Sequence, residues 1–232
     1  YISVTGVQTC ALPIYIAEID FDWWGTLKDQ VKVIQRSAFN IKYIDNGWVT
    51  QQALKLIAST MGTKTHTMIL DAKTLFVKPV ILSELFDSQG LLTLGQLDIY
   101  PVFEPSQRIT EKLFDITINQ QLGPGGVPFI VDNDQVRYMI QWIEATTNQN
   151  FLTWFQEQGM LTEFILYSGW IIRVNGSLDT IANRQNTFGT ICNICHSEVG
   201  IFDYKFQDMQ SSTTVSIHRN AWNQLNNKQQ EQ

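Results

Sequence analysis

The chain has 232 residues, 44% hydrophobic and 12% aromatic, which is enough for one sizeable α/β domain with a filled core. Only 16% of its residues are charged and the formal net charge is -6, so the basic stripe of a nucleic-acid binder is missing. No apolar run is long enough to span a bilayer and no secretory leader pattern is visible, so a soluble, cytoplasmic protein is expected.

The first stretch in chain order is "VTGVQTCALPI", Val4 to Ile14, which resembles, residue for residue, the translation of a common short-read sequencing adapter. That resemblance implies that residues 1–14 are artefactual and that 15–232 form a single domain, a fragment lacking its first strand and cut inside its last helix. A sheet so shortened exposes an edge, so poor stability or self-association is expected. The other reading of the same residues is an ordinary N-terminal strand. Beyond it, "TLKDQVKVIQRSAF" spaces Leu27, Val31, Ile34 and Ala38 as a helix, and "IKYI" reads as a short strand. "DNGW" signals a turn, and Trp48 to Ser59 predicts a second helix with Val49, Ala53, Leu56 and Ile57 on its buried face.

"THTMIL" is the clearest strand, a continuous apolar run of the kind buried on both faces of a parallel sheet. "TLFVKPV" continues as an extended segment that Pro79 helps to end, and "GLLTLGQLDIYPVF" suggests one or two strands. A helix over "SQRITEKLFDITI" leads to the glycine-rich loop and strand of "LGPGGVPFIV". "DNDQVRYMIQWIEATT" is an amphipathic helix with Asp132 or Asn133 as cap, and two more helices flank Gly159. Short strands and loops fill 175–208, "TTVSIHR" reads as a last strand, and a helix follows. Helices alternating with apolar strands favour an α/β sheet over a bundle or a sandwich.

Chemistry concentrates where the clearest strand ends. In open α/β sheets the carboxyl ends of strands face the binding crevice, so Asp71 is sited to meet a ligand, and Lys73 could neutralise phosphate. A turn-capping Asp beside a solvated Lys explains the same pair equally well. Gln51, Gln52 and Lys55 share one patch of the preceding helix. They could reach a ligand or brace Asp71, and a solvated helix face is the plainer alternative. Glu163 and Tyr167, four apart in "TEFILY", project from one face of a later helix.

"GWVTQQALKL", "MILDAKTLFVKPV", "GGVPFIV", "TEFILY" and a late "SIHR", in that order, resemble an uncharacterised bacterial and viral family related to nucleotide-sugar glycosyltransferases of the GT-A type. The resemblance implies a GT-A-like (Rossmann-like) mixed sheet flanked by helices. It also implies transfer of a sugar from a nucleoside diphosphate donor to a glycan or other small acceptor. Its donor-binding residues would be Gln51, Gln52, Lys55, Asp71, Lys73, Gly125, Gly126, Tyr167 and His218, with Asp71 and Glu163 catalytic and Glu163 as general base. Either a manganese or magnesium ion sits on Asp71 and His218, or the Lys73 ammonium takes the place of the ion's charge on the diphosphate, and a weakened or absent metal is the preferred expectation. Lys73 stands where the usual motif has its second acid, so a non-catalytic nucleotide- or carbohydrate-binding protein is the alternative. "CNICH", Cys192 to His196, matches a haem-attachment pattern, but with neither export nor a second cysteine pair it reads as chance.

Overall fold

The structure, a computed structural model, describes residues 2–7, 47–71, 74–124, 127–188, 191–194, 212–217 and 223–224. Helix α1 (Gly47–Thr60) has no glycine or proline after its first residue and buries Val49, Ala53 and Leu56. Its last carbonyls are taken up by side chains: Ser59 donates to Leu56, Thr60 to Ile57, and Arg137 to Thr60 and Gly62. The chain then enters β2 (His66–Asp71), the middle strand of a three-stranded sheet.

On one side of β2 lies β1 (Ile2–Val7), parallel, with Ile2 opposite His66 and Val7 opposite Asp71. On the other lies β6 (Phe129–Asp132), antiparallel, with His66 opposite Asp132 and Ile69 opposite Phe129. The sheet is therefore mixed, in keeping with the mixed sheet expected for the fold class, and not all-parallel, the setting that the apolar run alone suggests. A run buried on both faces looks the same in either setting, because strand direction is decided by connectivity and not by side-chain pattern. Part of the adapter-like segment thus lies in a strand position. A backbone ladder forms between any two extended segments of suitable register, so this pairing locates residues 2–7 and carries no information on their origin.

Strand β3 (Thr74–Phe76) leaves the first sheet to pair antiparallel with β8 (Thr214–Ile217), which also pairs in parallel with β7 (Ile191–Ile194). The run 90–103 yields one short strand, β4 (Gln96–Asp98), paired with β5 (Gln120–Leu122). Pro101 opens a 3-10 turn there, and Glu104 starts α3 (Glu104–Phe114), two residues earlier than its periodicity suggests. Asp115, left-handed at φ 54°, ends it short of 118. The four-residue helix α2 (Leu82–Leu85) has no counterpart in the sequence reading.

Helix α4 (Asn133–Thr147) is capped by Asp132, whose side chain accepts from the Gln135 amide at 2.9 Å. Helices α5 (Phe151–Glu157) and α6 (Glu163–Asn175) flank Gly159, whose φ of +74° favours glycine at this break. One core cluster runs from Val49 to Phe188. Helix α6 lines much of it: Tyr167 meets the Phe129 ring of β6, Trp170 meets the Phe114 and Trp142 rings, and Leu166 and Ile171 are buried in the same cluster. Each such side chain contributes roughly 1.5–3 kcal/mol on burial. Among the described residues no helix is long and apolar enough to cross a membrane. The helix and strand expected before residue 47 lie outside the described residues, as does most of the helix expected from residue 220 on.

Candidate functional site

Three elements meet at one polar cluster inside this core. Helix α1 contributes a stripe at Trp48, Gln51, Gln52 and Lys55, the spacing that puts side chains on one face. Strand β2 contributes its last residue, Asp71, and α6 its first, Glu163, with Thr162 capping that helix through the Ile165 amide. Lys55 Nζ bridges the two acids, 2.8 Å from Asp71 Oδ1 and 3.0 Å from Glu163 Oε1. Gln51 Nε2 donates to Asp71 Oδ1 at 3.5 Å. The Gln52 amide, oriented with its nitrogen on Glu163, donates to that carboxylate and accepts from Trp48 Nε1 at 3.0 Å. The Lys55 ammonium also lies 5.5 Å from the centre of the Phe164 ring.

Burial grades this cluster from inside to outside. Glu163 is 0% exposed and Lys55 3%, whereas the Asp71 side chain keeps 21% of its surface. Burial opposes the Lys55 ammonium, but the Coulombic pull of Glu163 and Asp71 and its hydrogen bonds to both outweigh it, holding its pKa above the usual lysine value. Glu163 moves upward too: complete burial outweighs the help of Lys55, and the nearby Asp71 charge adds to the shift. The two directions have one origin. Two carboxylates share one ammonium, so the cluster carries a surplus negative charge when all three are ionised, and the innermost acid bears that burden.

The sequence candidates therefore separate. Gln51, Gln52, Lys55, Asp71 and Glu163 come together, and the bracing of Asp71 by the α1 stripe is what the structure displays. Tyr167 does not join them. It is 1% exposed in the core, and its hydroxyl accepts from the Asp132 amide at 2.9 Å, so the donor contact implied for it is replaced by a structural one. Removing that acceptor in Tyr167→Phe is expected to cost about 1 kcal/mol. Urea denaturation checks this, and the variant should leave ligand binding unchanged.

Lys73, Gly125, Gly126 and His218 lie outside the described residues, as do Cys195 and His196, while Cys192 lies in β7. Sequence reasoning did not single out Trp48 or Phe164. The i, i+4 spacing of Trp48 to Gln52 was the available signal for the first.

The described residues do not by themselves make a divalent-cation site: no group of three His, Cys, Asp or Glu converges among them. Asp71 already holds an ammonium at 2.8 Å, which competes with a cation for the same oxygen. What the cluster can do is hold one half-buried carboxylate at a strand's carboxyl end in a single orientation.

The model of a family described as one of unknown function, DUF6492, matches residues 23–221, most of the chain. No curated protein matches it.

Proposed function

The chain belongs to the DUF6492 family, and for this member we propose a nucleotide-sugar glycosyltransferase on a GT-A-like scaffold. The observation that carries the reading is Asp71: the last residue of the central strand, partly exposed, and braced from behind by Lys55 and Gln51. A side chain so held is preorganised for a charged ligand in the crevice beyond the strand ends. Strand pairing brings a second element near: Thr74, three residues after Asp71, lies opposite Ser216 of β8.

An ionised aspartate facing a diphosphate is repulsive unless a cation stands between them, and the sequence supplies Lys73 two residues on. Glu163 takes a different role from the general base implied by the resemblance. Fully buried and bonded to Lys55 and Gln52, it positions the lysine that positions Asp71, and it offers no surface to an acceptor. The ammonium already on Asp71 also favours a second reading, a nucleotide- or carbohydrate-binding protein without turnover.

Thermal shift against a panel of nucleoside diphosphate sugars, with and without manganese, tests the proposal. One donor class is expected to raise the melting temperature of the full chain by roughly 5–10 °C at saturating concentration, and Asp71→Ala to abolish the rise. Donor hydrolysis would then separate enzyme from binding module. A cooperatively melting protein that no donor shifts would remove the donor-site reading, and a shift that survives Asp71→Ala would move the site elsewhere.

A further inference from the structure

The polar cluster has one aromatic member at the surface. Trp48 is 39% exposed, yet its indole nitrogen is tied to Gln52 at 3.0 Å, and Gln52 is itself held by the buried Glu163. Single exposed hydrophobic side chains are ordinary on protein surfaces. Trp48 differs in that its indole nitrogen is anchored on a buried amide while 39% of the residue's surface stays exposed, an arrangement that restricts the ring before any ligand arrives. Tyr100 and Tyr138 are exposed as well, without a bond to this cluster among those described.

Position adds to orientation. Trp48 precedes Gln51 by three residues and Lys55 by seven on α1, which is roughly 5 and 10 Å along the helix axis. Those are the two residues of α1 that hold Asp71. A ring on the same stripe, one to two helical turns from the residues that hold Asp71, is placed to meet one end of a nucleoside diphosphate seated on that carboxylate. Stacking on an aromatic face is tolerant of the base and does not depend on charge, so it complements a site whose other contacts are ionic.

We infer that Trp48 is the stacking platform for the nucleobase of the donor. The inference rests on the donor-site reading of Asp71 and assigns the other end of the same ligand. It divides the ligand between two groups: Asp71 answers to the diphosphate, and Trp48 to the ring attached to it.

Calorimetric titration of the full chain with uridine, guanosine, adenosine and cytidine diphosphates, and with inorganic pyrophosphate, tests it with manganese present. Trp48→Ala is expected to weaken the preferred nucleotide at least tenfold and to leave pyrophosphate unchanged, while Trp48→Phe retains most of the affinity. Asp71→Ala should weaken nucleotide and pyrophosphate alike. If Trp48→Ala does not melt cooperatively, Trp48→Leu, which keeps apolar bulk without an aromatic face, replaces it with the same expectations. Nucleotide affinity unchanged in Trp48→Ala would overturn the platform and leave the donor reading standing. Equal loss of pyrophosphate would also overturn it, since Trp48 would then act through Gln52 and Glu163. A folded wild type that binds none of the five ligands would overturn both inferences together.

Discussion

Lys55→Met is expected to lower the stability of the chain by about 3–5 kcal/mol at pH 7 to 8, the cost of stranding buried carboxylates without their cation. The substitution keeps length and apolar volume, so the loss reports charge rather than packing. Glu163 has nowhere to turn for solvation at 0% exposure, and the Gln52 side-chain amide and its own backbone amide are the donors left to it among the described contacts. Asp71, at 21% exposure, can draw on water and on Gln51. The destabilisation therefore falls mainly on Glu163.

The sign of its pH dependence follows. A carboxyl whose folded pKa lies above its unfolded value contributes stability that is fully present below the unfolded value, near 4.5, and lost as pH rises through the folded one. Removing Lys55 takes away the interaction that restrains this upward shift. The variant should thus lose stability more steeply than wild type between pH 5 and pH 8, and the gap between them should narrow on acidification. Lys55 in the wild type has the complementary window. Its pKa is raised above 10.5, so its contribution is complete at neutral pH and disappears only as the solution becomes strongly alkaline.

A second substitution identifies the seat of the effect. Lys55→Met with Glu163→Gln leaves no buried charge at the centre of the cluster, and most of the lost stability should return. Chemical denaturation of the four proteins at pH 5, 6, 7 and 8 is the measurement. A loss under about 1 kcal/mol that is flat with pH would mean that the three groups do not act as one buried ionic unit.

Much of this cluster was legible in the sequence, and the reason is local periodicity. Gln51, Gln52 and Lys55 fall on one helix face whatever the tertiary fold, and Asp71 ends the strand that an unbroken apolar run defines. Glu163 could be placed on a helix, but not buried against Lys55, because that contact spans 108 residues and depends on how α6 packs. The place of Tyr167 is hidden for the same reason: four residues after Glu163 on the same helix, its hydroxyl meets the Asp132 amide of another element. The antiparallel partner of β2 was hidden because a central strand has the same apolar pattern beside either neighbour. Chain reversals were read more easily than strand direction, as at Gly159, since left-handed backbone has a residue preference of its own.

Gly169→Ala should destabilise the chain by about 1–3 kcal/mol, although an isolated helix would gain about 1 kcal/mol from the same change. Gly169 lies inside α6, and its φ is not in the left-handed region, so the need here is for space. A Cβ at this position would collide with Cγ2 of Thr110 on α3 and would stand 3.2 Å from Cδ2 of Phe114. Thr110 is fully buried, and its hydroxyl has no hydrogen-bond partner among the described residues, so Thr110→Ala alone should be nearly neutral. The double variant should recover most of what Gly169→Ala loses, because the colliding methyl is gone.

The functional consequence travels along the helix, whose first residue is Glu163, six positions before the contact. Pushing α6 away from α3 shifts the acid that holds Lys55, and with it the brace on Asp71. Gly169→Ala should therefore weaken nucleotide binding as well as stability, and the double variant should restore both. Thermal melts and calorimetric titrations on the four proteins of the cycle decide the matter. If the single variant is as stable as wild type, α6 and α3 have slack between them. If binding stays lost when stability returns, the route from this contact to Asp71 is not the one drawn through Glu163 and Lys55.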